Sequence, residues 1–139
     1  MRFLGVNTAG LKSKLTSFKK AIQELKPSVI FAQETKFQQE GQLKLGDDYI
    51  IYEQVRKGEK GGGVLALCCL KELNPCWVSE GKDRVEAISE DIYLKTMKIR
   101  WCTAYGPQEN ENIEKKQFFW DHLDRKVLEA ENADAGVVE

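Results

Sequence analysis

The chain has 139 residues, the length of one domain, with 42% hydrophobic and 31% charged residues. That composition excludes wholesale disorder, and the low glycine and proline content excludes a collagen-like or linker-like chain. The net charge of -1 carries no global signature for nucleic acid, although residues 1–75 are net basic and residues 76–139 net acidic.

No window approaches the ~18 consecutive apolar residues of a membrane helix, so no membrane association is expected. The four cysteines, Cys68, Cys69, Cys76 and Cys102, form no CxxC pair, and the single histidine, His122, supports no zinc site. They read as reduced, mostly buried thiols in an intracellular setting, nuclear or cytoplasmic. The first residues are too short and too polar-ended for a signal peptide.

In chain order, Arg2–Val6 reads as a strand that ends at Asn7, with a turn at Gly10. Leu15, Phe18, Ile22 and Leu25 are spaced three, four and three apart, one face of a helix that Pro27 stops. Ser28–Gln33 is a near-continuous apolar run, as in a strand buried on both faces. A strand, helix and strand in some 33 residues predict two neighbouring strands of a layered α/β sheet. Glu34 would then sit at the end of the second strand, beside Asn7 at the end of the first, where α/β folds collect ligands.

Tyr49–Val55 and Val64–Leu70 read as strands around a glycine-rich turn at Lys60-Gly61-Gly62-Gly63. Val85–Leu94 and Met97–Tyr105 are rich in β-formers and predict two strands with a turn near Lys95-Thr96, the second ended by Gly106-Pro107. Glu111–Glu131 predicts a helix with Phe119, Leu123 and Val127 on one face and Asn110 or Asn112 as cap. On that helix, Phe118, Phe119 and Trp120 read as core with one edge residue, and His122 as solvated. Ala135–Glu139 reads as the start of a further strand. The order predicts mixed sheets with helices outside.

Chemistry concentrates at strand ends. A carboxylate such as Glu34 can hold Mg²⁺ through oxygen, and an amide such as Asn7 can orient a ligand; an exposed loop carboxylate and a turn asparagine fit the same pattern. The phenol of Tyr105 can donate to a phosphate oxygen, or simply pack at a sheet edge. The Gly61–Gly63 run can cradle a phosphate but lacks the ending of a phosphate loop, which favours a plain turn. No Ser-His-Asp or Cys-His arrangement is present.

Four segments in order resemble the endonuclease/exonuclease/phosphatase superfamily. They are Val6-Asn7 with Gly10-Leu11, Gln33-Glu34-Thr35-Lys36 after an apolar strand, Gly61-Gly62-Gly63-Val64, and Thr103-Ala104-Tyr105-Gly106-Pro107. The helix with Phe119-Trp120 is similar to the endonucleases of LINE-type non-LTR retrotransposons. Val6 stands where the family often has an aromatic before the asparagine.

The resemblance implies that Glu34 binds a divalent metal, Mg²⁺ or Mn²⁺, with Asn7 positioning metal or phosphate. It implies that Tyr105 contacts the scissile phosphate and that Lys36 lies near the substrate backbone. It also implies a partial domain over residues 1–139, the N-terminal half of a four-layer α/β sandwich, truncated before the family's Gly-Asp-x-Asn motif. The implied activity is phosphodiester hydrolysis, with DNA nicking foremost. The implied partner is nucleic acid, DNA first, without an obligate protein partner. Two alternatives stand beside this: a non-catalytic remnant, with or without nucleic-acid binding, and an unrelated small α/β ligand-binding domain. A half-domain would also be partly molten or sticky, through its uncovered apolar face.

Overall fold

A computed structural model describes residues 2–37, 39, 41–55, 65–80, 86–94, 97–106, 112–129 and 135–138. The Gly61–Gly63 run, the Lys95-Thr96 turn, Pro107 and Asn110 lie outside these residues. So do the outermost residues expected of the second helix.

The strands are β1 (Phe3–Asn7), β2 (Val29–Gln33), β3 (Tyr49–Gln54), β4 (Leu65–Leu70), β5 (Cys76–Glu80), β6 (Glu86–Leu94), β7 (Met97–Tyr105) and β8 (Ala135–Val138). The helices are α1 (Leu15–Leu25) and α2 (Ile113–Glu129). The first sheet has the order β1-β2-β4-β3 and the second β5-β6-β7-β8. In the first, β1 and β2 are parallel and the other pairs antiparallel. In the second, only β7 and β8 are parallel.

The sheets meet face to face over Val29, Phe31, Leu67 and Cys69 on one side and Ile88, Ile92, Ile99 and Trp101 on the other. The alternate residues Ile30, Ala32, Ala66 and Cys68 face outward and pack under Phe18 and Ile22 of α1. This period-2 division explains why β2 is apolar throughout: both its faces are covered. On the far side, Phe119 of α2 covers Ala87 and Ala104. The layers are therefore helix, sheet, sheet, helix, an α/β fold with helices outside, as expected.

Gly5 has a specific packing role. A Cβ built there would lie 2.1 Å from the Phe31 ring, which crosses the β1 backbone. Phe31 in turn lies against Trp101 of the second sheet, and Phe3 meets the same indole edge-on at 4.6 Å.

Several expectations need correction. β5 was not foreseen, nor were the 3₁₀ turns at Lys12–Lys14 and Lys71–Leu73. The turn segments are one helical turn each, too short to leave a periodic signal. Leu25, at the C-terminal end of the α1 stripe, is 47% exposed, because Lys26 turns left-handed there and leads the chain away. Phe118 and Trp120 are both exposed, leaving Phe119 as the buried aromatic, since a helix turns ~100° per residue and three consecutive residues cannot share one face. His122 is buried, not solvated, because it follows Phe119 by three positions on the face turned to the sheet. Three of the four cysteines are buried, as expected, and Cys76 is exposed.

Candidate active site

Asn7 ends β1, Glu34 follows β2 directly, and Tyr105 ends β7. The parallel β1–β2 pairing puts Asn7 opposite Gln33, so the chain leaves both strands side by side. Backbone bonds then stitch the two exits together. The N–H groups of Thr8, Gly10 and Leu11 donate to the carbonyls of Gln33, Glu34 and Thr35 at 2.8–2.9 Å. The Thr8 hydroxyl donates to the Glu34 carbonyl at 2.9 Å, and the Lys14 ammonium folds back onto the Thr8 carbonyl at 2.8 Å.

A side chain of β2 ties the second sheet to this corner. Gln33 donates its amide across the sheets to the Ala104 carbonyl at 2.9 Å. Gln33 precedes Glu34, and Ala104 precedes Tyr105. The bridge therefore fixes the separation at which the Tyr105 hydroxyl donates to the Glu34 carboxylate, at 2.5 Å.

Asn7 is held from the other side. Its Oδ1 accepts the Ala9 N–H at 3.1 Å, an Asx-type turn, and its side chain also hydrogen-bonds Glu34. The Tyr105 hydroxyl, then Asn7, hold the Glu34 carboxyl below the ordinary carboxylate value, against a smaller upward push from burial; the nearby Lys36 charge adds to the lowering. Glu34 is therefore an anion at neutral pH, aimed by a phenol and an amide.

The backbone here is locally strained. Ala9, Glu34 and Lys36 all adopt left-handed conformations, with φ of 47°, 54° and 58°. For residues other than glycine this costs roughly 1–2 kcal/mol each, and such outliers cluster at functional sites. Lys36 is exposed, and its aliphatic stem would be a neighbour of any Cβ placed on Gly10.

The structure thus brings Asn7, Glu34 and Tyr105 into one hydrogen-bonded group and places Lys36 at its rim. Sequence reasoning overlooked the supporting roles of Gln33, Thr8 and Lys14. The one available signal was Gln33, an amide ending an otherwise apolar strand. Among the described residues, no three of His, Cys, Asp and Glu gather into a cation site.

No family model and no curated protein matches the chain. Solved structures do match. The catalytic domain of Xenopus laevis APE2 superimposes with a TM-score of 0.73 at 15% identity, over 100% of this chain and 58% of that one. The 3′ phosphatase NExo from Neisseria, solved bound to a product DNA hairpin, gives 0.71 at 15%, over 99% and 56%. The endonuclease domain of TRAS1, a telomere-specific non-LTR retrotransposon, gives 0.66 at 15%, over 90% and 54%. The chain spans little more than half the length of each. With two face-packed mixed sheets and their outer helices matched over nearly its whole length, the chain has the endonuclease/exonuclease/phosphatase fold.

Proposed function

We propose that residues 1–139 form part of a Mg²⁺-dependent phosphodiesterase domain that acts on DNA, a nicking endonuclease of the LINE retrotransposon type. The observation that carries this is the Asn7–Glu34–Tyr105 group: an ionised carboxylate oriented by an amide and a phenol at the open ends of strands from both sheets. The fold likeness to nucleases, including a retrotransposon endonuclease and a phosphatase solved with DNA, supports the substrate class.

The donor set fits a hard cation. Mg²⁺ keeps several waters and binds through one or two carboxylates plus substrate phosphates, so a single oriented carboxylate with an amide beside it suits it. When bound, the cation supplies charge stabilisation at the phosphoryl oxygens. Glu34 would hold it, and Asn7 would fix the carboxylate's orientation. The single Tyr105 hydroxyl proton, donated to Glu34 here, would turn to a phosphate oxygen when substrate is present, and the Lys36 ammonium lies at the rim where a phosphate backbone would pass.

The reading is tested by adding Mn²⁺ to isotope-labelled chain. Paramagnetic broadening centred on residues 7–10 and 33–36, lost in Glu34→Gln, is the expected result; broadening elsewhere, or unchanged in the variant, overturns it.

A second reading is a non-catalytic remnant of such a domain. It is favoured by the sparseness of the group, since no three of His, Cys, Asp and Glu gather into a cation site among the described residues. General acid–base help and nucleophile alignment are each worth orders of magnitude in rate. Nicking of supercoiled plasmid with Mg²⁺ separates the two. Activity above the Glu34→Gln background establishes the enzyme and overturns the remnant; activity equal to it is what the remnant predicts for these residues.

A further inference from the structure

Glu90 lies on β6 between Ile88 and Ile92, on the face turned to the first sheet. It is completely buried. Its cross-strand partner on β7 is Trp101, and Thr103 pairs with Ile88 one step further along. Among the described residues, neither Glu90 carboxyl oxygen has a hydrogen-bond partner, nor does the Trp101 indole nitrogen or the Thr103 hydroxyl. Four orphaned polar atoms thus gather on one patch of an otherwise apolar seam. Native interiors rarely leave such atoms unexplained, because each bears the full desolvation penalty of a hydrogen bond that is not made.

The charges around Glu90 offer no relief. From β3 it faces Tyr52, whose hydroxyl donates to the Pro75 carbonyl, and from β4 it faces Cys69. β2 presents Val29 and Phe31, and the Lys71–Leu73 turn presents Leu73. On β7 the same face carries Tyr105, committed to Glu34. The neighbouring Asp91 points to the opposite face, where it engages Arg100 at 2.7 Å and Lys98 at 3.3 Å. Those two cations are therefore spent on Asp91, whose negative charge only adds to the difficulty of ionising Glu90.

We propose that Glu90 is carried as a neutral acid between the sheets, and that its ionisation is a pH-sensitive switch that weakens their pairing beneath the Asn7–Glu34–Tyr105 group. Burial, then Asp91, pushes its carboxyl up to about 8. An unfolded chain would release this proton near its ordinary value of 4.5. Between those values the folded state binds more protons, so stability falls as pH rises through the window and levels off above it. Thr103 sits two residues before Tyr105 on one face of β7, which links the loosening to the Tyr105–Glu34 bond.

The test is urea unfolding of the whole chain from pH 5 to pH 9, beside Glu90→Gln. The folding constant is expected to fall by up to about tenfold per pH unit between pH 5 and 8 in the natural chain and to stay flat in the variant. An equal fall in both, or none in the natural chain, overturns the proposal. Should Glu90→Gln not fold, a ¹³C titration of the Glu90 carboxyl in the natural chain decides alone. A midpoint above 7 supports the switch, and one in the ordinary carboxylate range overturns it. Neither readout depends on nuclease activity.

Discussion

Tyr105 and Glu34 are 71 residues apart in the chain and one hydrogen bond apart in the fold. Because the Tyr105 hydroxyl is the largest influence lowering the Glu34 carboxyl, Tyr105→Phe should raise its titration midpoint toward the ordinary value. A carboxyl ¹³C titration of Glu34 reads this directly, and an unmoved midpoint would mean that the phenol does not orient the carboxylate. Gln33 acts one step back. Replacing it by Leu keeps the β2 strand apolar but removes the bridge to the Ala104 carbonyl. The expected outcome is the same upward shift at Glu34 without loss of fold, since the phenol would no longer be held at bonding distance.

At the scale of elements, two positions show how local chemistry sets packing. Gly5→Ala would drive a methyl group into the Phe31 ring, whose other side lies against Trp101. Overpacking of this kind costs typically 1–3 kcal/mol, and the ring cannot retreat without disturbing the seam between the sheets. Urea unfolding should show that loss, and a neutral result would mean that Phe31 has another rotamer available. Asn112 caps α2 by accepting the Lys115 N–H at 2.8 Å. Asn112→Ala should cost about 1 kcal/mol. The loss should appear as faster amide exchange in the first turn of α2, with β1 and β2 unaffected.

For the whole molecule, the carboxylates pull stability in opposite directions. Glu34 and Asp91 both titrate below their ordinary values. For Asp91, burial pushes upward but the Arg100 and Lys98 contacts outweigh it. Their contribution is present above the unfolded values and lost as pH falls through the folded ones. Glu90 acts the other way, losing its contribution as pH rises from 4.5 toward about 8. Stability should therefore peak at about pH 5, which thermal unfolding across pH 3–9 would check. The surface carries a second whole-molecule expectation. Ile113 and Trp120, seven positions apart and so on one side of α2, expose large apolar area, and Phe118 exposes a further ring on another side. Such patches promote association, so sedimentation velocity should show concentration-dependent self-association. A monomer with a sharp, concentration-independent thermal transition would count against it.

Much of this architecture was legible in residue order. The apolar run of β2, the stripe of α1, the β-former content of β6 and β7 and an asparagine cap before α2 are local signals, because propensity, periodicity and capping act within a few residues. The positions of Asn7, Glu34 and Tyr105 at strand ends were equally visible. Tertiary structure alone decided the rest. β5 carries too short and mixed a pattern to stand out. His122 is buried and two of the three aromatics, Phe118 and Trp120, are exposed, because only the docking of α2 on Ala87 and Ala104 selects its buried face. That Tyr105 bonds Glu34, that Gln33 spans the sheets and that Glu90 lies unpartnered between them are consequences of two sheets meeting face to face. Sequence spacing sets which side of a strand a residue occupies, but what it meets there depends on a partner many residues away.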